Sequence, residues 1–180
     1  CSVNPMEAKQ LADELNGFNQ ERKDIEGFVL EQSIEMLEGT PQSWPMAFVY
    51  NKGWHQGVIG IVAGKLKERY NLPAFVMSIE DDEVKGSARS IPGVDLGALI
   101  IAAKEKGVLT KGGGHTMAAG FSLTEAQIPA FRTFAGEYIA RSLNNTRPHP
   151  VINIDLSLSL PAANAGLCSE LERLKPFGTG

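Results

Sequence analysis

Apolar and polar residues along the chain fall into a small number of periodic segments. Asn4-Pro5-Met6-Glu7 combines a capping side chain, a proline at the first helical position and an acid in the first turn, which starts a helix. Leu11, Leu15 and Phe18 keep a helical stripe, Asn16-Gly17 suggests a break, and Ile25 and Val29 resume the pattern to about Glu38. The expectation is two helices or one bent helix. After turn signals from Gly39 to Pro45, MAFVY at 46–50 reads as a short buried strand. GVIGIVAGKLKERY at 57–70 has helical spacing, and AFVMSI at 74–79 reads as a second buried strand. Strand, helix and strand in that order form a βαβ unit with parallel strands.

EDDE at 80–83 then turns the chain so that EVKGSARS pairs back as a hairpin, which makes the sheet mixed. Asp95 caps a helix through LGALIIAAKEK that stops at Gly107. KGGGH at 111–115 reads as a loop leading into the strand AAGFSL, and Thr124 precedes a helix carrying Phe131, Phe134, Tyr138 and Ile139. The compact domain ends near Asn145. TRPHP reads as a linker, VINIDLSLSL alternates like the first strand of another module, and LCSELERLKPF reads as a short helix. The fold class expected is therefore α/β: a mixed β-sheet flanked by helices, with a helical linker over 1–43, the main domain over 44–146, and a linker plus a truncated β module over 147–180.

Composition bounds this picture. The chain has 180 residues, 43% of them hydrophobic, and no apolar run near the roughly 18 residues that span a bilayer. Cys1 and Cys168 are far apart and form no CxxC arrangement, and the N-terminus carries no signal-like segment, so a cytoplasmic setting is expected. A start at Cys1 and an end in a glycine-rich turn suggest a piece of a longer protein. Residues 1–40 hold nine acidic residues against three basic ones, a net −6, which reads as a solvated helix face. Residues 85–115 hold five basic residues against two acidic ones, a net +3 within a chain of net −4. That contrast suits an anionic ligand held in one groove.

Three glycine-bearing clusters carry the candidate chemistry: WHQGVIG at 54–60, KGSARS at 85–90 and KGGGH at 111–115. The first sits at a strand-to-helix junction, where the helix dipole favours an anion. The second brackets Arg89 with Ser87 and Ser90. The third offers a backbone that a phosphate can approach without meeting Cβ atoms, beside the His115 imidazole. Each cluster also has a plain structural reading: His55 as a satisfied imidazole, Arg89 paired with a carboxylate, the glycines as a turn. The histidines are isolated, and HExxH and CxxC motifs are absent, so no hydrolytic metal centre is visible; no serine sits in a GxSxG elbow, which leaves a Ser-His-Asp arrangement open.

GWHQGVIGIVAGKLKERYNLPA, KGSARSIPGVDL and KGGGHTMAAGFSL resemble, in this order, the DHH-associated domain of the RecJ family of single-strand-specific DNA exonucleases, within the DHH phosphoesterase superfamily. The resemblance runs from about Trp44 to Phe134. NQERKDIE resembles that family's helix between its two core domains, and ERLKPFGTG the lead-in to its OB-type domain. GGGH alone is shared with other DHH families, which leaves a phosphodiesterase for short oligonucleotides or cyclic dinucleotides, or a non-catalytic nucleic-acid-binding module, as alternatives.

The resemblance implies the substrate-binding part of a 5′-to-3′ exonuclease of DNA repair and recombination. It implies Mn²⁺ or Mg²⁺ held by an upstream DHH domain, a fragment inactive alone, single-stranded DNA as substrate, and a helicase and a single-strand-binding protein as partners. Carried over by position, Arg89, Ser90, Gly113 and Gly114 contact substrate phosphates, His115 stands beside the transferred phosphoryl group, and His55 is a further contact. Trp54 is a candidate for base stacking.

Overall fold

The structure is a computed structural model that describes residues 4–39, 45–149, 154 and 156–176. Backbone contacts divide it into two compact units, Cys1–His149 and Pro150–Gly180.

The first unit opens with α1 (Pro5–Glu38), a single helix of 34 residues capped by the Asn4 side chain, which accepts from the Met6 N–H at 3.0 Å. The break expected at Asn16-Gly17 does not occur: both residues are exposed, and a methyl group at Gly17 would meet nothing, so no packing demand bends the helix there. β1 (Ala47–Lys52), α2 (Ile59–Tyr70) and β2 (Ala74–Glu80) form the βαβ unit, with β1 and β2 parallel. α2 ends at Asn71, whose φ of 50° places it in the left-handed region that asparagine tolerates. β3 (Glu83–Arg89) pairs antiparallel with β2, α3 (Leu96–Glu105) follows its Asp95 cap, and β4 (Lys111–His115) and β5 (Ala118–Thr124) form a hairpin. A 3₁₀ turn with a capping box between Thr124 and Gln127 leads into α4 (Ile128–Ser142).

KGGGH is therefore a strand rather than the expected loop. Glycine is a poor strand former, but here pairing with β5 and packing under α3 override propensity. The sheet order is β1-β2-β3-β5-β4, so KGGGH forms an edge.

The sheet has two faces of different character. Phe48, Phe75, Met77, Val84, Phe121 and Leu123 point to one, where they pack with Leu99 and Ile100 of α3 and Phe131 and Ile139 of α4. Phe121 and Phe131 stack with ring centroids 4.9 Å apart at the centre of this core. Ala47, Val49, Ala74 and Val76 point to the other face, against Val62, Ala63 and Leu66 of α2 and Val29 of α1. The helices on this second face reach across β1, β2 and β3 and stop there, which leaves β5 and β4 bare.

The second unit contains a 3₁₀ turn over Leu160–Ala162 and α5 (Ala165–Glu172), capped by Asn164. Ile154 and residues 156–159 are not in a strand. The rest of the strand expected from VINIDLSLSL, and the final FGTG, lie outside the described residues.

Candidate functional site

Strand alternation sorts the candidate residues by face. On β3 the even-numbered Val84, Gly86 and Ala88 enter the core, so Lys85, Ser87 and Arg89 emerge on the α2 side. Pairing with β5 and then β4 extends that side into three rows: Arg89–Ala118–His115, Ser87–Gly120–Gly113 and Lys85–Ser122–Lys111. All members of these rows are exposed or half-buried. The result is a trough with a bare floor and cationic ends, walled on one side by the first turn of α2. The three sequence clusters do meet here: a Cβ on Gly60 would lie 3.1 Å from Ser87 Oγ and 3.2 Å from the Arg89 guanidinium.

The three glycines of KGGGH have three different reasons. A methyl group at Gly112 would sit 2.6 Å from Ile100 Cγ2, and one at Gly114 would sit 2.5 Å from the Ala118 carbonyl oxygen and 2.6 Å from Ala119 Cα. Packing under α3 and against β5 therefore requires both. A methyl group at Gly113 would meet nothing, and one at its cross-strand partner Gly120 only the Gly86 carbonyl oxygen, at 4.0 Å. Neither residue has a positive φ. The fold asks for glycine at 112 and 114, whereas 113 and 120 leave open space on the trough floor. Gly114 consequently faces α3 and away from the trough.

Arg89 donates from Nη1 to Ser87 Oγ at 3.2 Å and to the Ala88 carbonyl at 3.0 Å, and no carboxylate pairs with it among the described residues. A half-buried guanidinium of this kind, beside the positive end of the α2 dipole, attracts an anion. Asp95 organises the adjoining corner: its Oδ1 accepts from the Ala98 N–H, its Oδ2 from the Thr116 hydroxyl at 3.4 Å, and Leu96 N–H donates to the Thr116 carbonyl. This fixes the β4–β5 turn that presents His115, which is exposed.

Three candidates stand elsewhere. Ser90 is fully buried, its hydroxyl directed at the Val94 carbonyl at 2.7 Å and the Ile91 carbonyl at 3.2 Å, and its N–H donates to Met117. It shapes the turn after β3 and offers no donor to the trough. Trp54 is 3% exposed, with its indole N–H donated to Gln32 Oε1 at 2.8 Å and its carbonyl accepting from Ser78 Oγ at 2.5 Å, so it packs and has no face for a base. His55 folds onto its own turn, Nδ1 accepting from the Gly57 N–H at 3.1 Å, and lines a shallow depression of about 420 Å³ with Asp24, Ile25, Phe28, Val29 and Gly53. Ser122 and Gly120 were left out by sequence reasoning, and Lys85 and Lys111 entered it only as members of their clusters and of the local charge; what places all four on one face is the period-two alternation of β3, β5 and β4, hidden in part by reading KGGGH as a loop.

Among the described residues no three His, Cys, Asp or Glu side chains come together. No helix among them is long and apolar enough to cross a membrane.

A mixed sheet with helices on both faces and one bare end defines an α/β domain with an open, cationic surface. The chain belongs to the DHHA1 domain family, which matches residues 44–141. It is 34% identical over 179 residues to the single-stranded-DNA-specific exonuclease RecJ of Bacillus subtilis (strain 168), covering 98% of this chain and 22% of that protein. It is 38% identical over 145 residues to the protein of the same name from Escherichia coli (strain K12), covering 77% of this chain and 25% of that protein. Among solved structures, RecJ of Thermus thermophilus in complex with Mn²⁺ superposes with a TM-score of 0.80 at 30% identity, over 98% of this chain and 26% of that one. The Mg²⁺ complex gives a TM-score of 0.82 at 29% identity, over 98% of this chain and 27% of that one. The chain thus spans 22% to 25% of the length of these two curated relatives.

Proposed function

We propose that this domain is the substrate-holding part of a RecJ-like, single-strand-specific 5′-to-3′ DNA exonuclease acting in repair and recombination. The observation that carries this reading is the trough floor. Gly113 and Gly120 face each other where the fold has no need of glycine, at a cost of roughly 0.5–1 kcal/mol each in chain entropy. This bare backbone, one row along the strands from Arg89 and His115, suits close approach of a sugar-phosphate strand. Contacts of this kind are blind to base identity, which agrees with a nuclease that degrades any single strand.

Within that role Arg89, held by Ser87, fixes a phosphate, and His115 donates a hydrogen bond to an oxygen of the phosphoryl group under attack. Its contribution is electrostatic, because the charge on the phosphoryl oxygens grows in the transition state. Gly114 and Ser90 serve the same site from beneath, by allowing the hairpin and the turn that carry these groups, whereas His55 lies apart from it, against α1. The Mn²⁺ or Mg²⁺ of this chemistry supplies the activated water and belongs to a DHH domain outside this chain. A helicase that opens duplex DNA and a single-strand-binding protein are the partners that such an activity implies, and the cytoplasm its compartment.

Arg89→Ala or His115→Ala in the full-length parent enzyme is expected to lower the rate on single strands by about 10²-fold or more. Rates equal to wild type in both variants would overturn the site assignment.

A further inference from the structure

The row Lys85–Ser122–Lys111 has no part in the scheme above, yet it continues the same open face. Along the strands it lies four residues from the Arg89–His115 row, about 13 Å, with the Ser87–Gly120–Gly113 row midway. Each two-residue step, about 6.7 Å, is comparable to the distance between successive phosphates of an extended single strand. Lys85 and Lys111 stand on the two strands that flank β5 and so face each other across the Ser122 side chain. Lys111 is exposed and makes no ion pair among the described residues; the Ser122 hydroxyl makes no hydrogen bond there either. The acid beside this row, Glu83, pairs with Lys85 at 3.7 Å, with both side chains about half exposed, a weak pair that a phosphate can replace.

We infer that Lys85 and Lys111, with Ser122 between them, form a second phosphate subsite two internucleotide steps from Arg89, so that the trough takes a strand of at least three phosphates rather than a dinucleotide. The inference rests on the proposed function, because it requires that a nucleic-acid strand occupies the trough. Its physical content is a division of labour. Arg89 and the α2 end hold any terminal phosphate, whereas the lysine pair adds counterion release only when the ligand is long enough to reach it. A lysine on an edge strand also discourages strand-to-strand aggregation, and that simpler role for Lys111 predicts a different result.

The test measures binding of the chain to a 5′-phosphorylated oligothymidylate of about 12 nucleotides by fluorescence anisotropy, and to pTpT by competition, over a range of salt. Lys85→Gln/Lys111→Gln is expected to weaken the long strand about tenfold at low salt and to lower the slope of log K against log salt by about 1.4, or about 0.7 per lost contact. Binding of pTpT stays unchanged, and Lys85→Arg/Lys111→Arg restores both affinity and slope. An unchanged slope for the glutamine variant, or an equal loss for pTpT, overturns the subsite. Edge protection alone would give aggregation with no change of slope. A wild-type chain that binds neither ligand overturns the proposed function, and this inference with it.

Discussion

One methyl group separates the roles of Gly113 and Gly114. Gly114→Ala would place Cβ 2.5 Å from the Ala118 carbonyl oxygen and 2.6 Å from Ala119 Cα, and neither backbone can retreat without breaking the β4–β5 ladder. It is expected to destabilise the domain by about 1–3 kcal/mol. Gly113→Ala meets only open space and restricts the unfolded chain, so it is expected to raise stability by about 0.4–1 kcal/mol while weakening single-strand binding. Urea unfolding midpoints and anisotropy titrations of the two variants check the pair, and a Gly113→Ala protein that bound as well as wild type would remove the argument from the bare floor. In the sequence the three glycines were legible as a special place, and so were Arg89 and His115. Which glycine serves the fold and which the floor was not, because that depends on Ile100 and Ala119, residues distant in pattern and brought near only by packing. Ser90 and Trp54 misled for the same reason: hydroxyl and indole groups advertise binding in a sequence, whereas here each is consumed by a backbone or side-chain partner.

At the scale of elements, the strands and helices of the βαβ unit, the β2–β3 hairpin and the Asp95-capped helix were readable from period and caps, because each has an apolar pattern that matches its burial. β4 was unreadable because its pattern is absence of side chains. The long α1 is anchored to α2 by Glu26, which is 5% exposed, receives Arg22 at 2.7 Å and Lys65 at 2.5 Å, and sits beside Val29 on the buried stripe. The hydrogen bond from Lys65, supported by its charge and by Arg22, holds the Glu26 carboxyl below its ordinary value of 4.5 in spite of burial. A depressed folded-state pKa stabilises the fold above about pH 4.5, and this contribution is lost as pH falls further through the folded value. Glu26→Gln is expected to cost on the order of 1–2 kcal/mol at neutral pH, and progressively less as pH falls through the lowered folded-state value. Denaturation curves at neutral and acid pH measure it, and an equal cost at both would show that packing, not charge, joins the helices.

Over the whole molecule, charge and core divide along the chain. The acids concentrate on α1 and the cations between 85 and 111, so a net charge of −4 conceals a basic trough, as the anionic substrate proposed for it would require. Among the described residues both hydrophobic cores are built from the first unit, from Ile25 to Leu143. Its last described tether is the hydrogen bond from Asn71 Nδ2 to the Pro148 carbonyl at 3.1 Å. By contrast, 150–180 contributes no buried residue among those described, and its large apolar side chains, Leu160 at 90% and Ile154 at 76%, stand exposed. Stability follows buried apolar area, so a chain ending at His149 is expected to keep the unfolding midpoint of the longer one. In a domain of this size 1 kcal/mol corresponds to about 2–4 °C, a shift that circular-dichroism melting curves of the two chains resolve. A fall of several degrees on truncation would mean that 150–180 stabilises the first unit. An unchanged midpoint, with the trough still binding single strands, would locate both the fold and its candidate site within the first 149 residues.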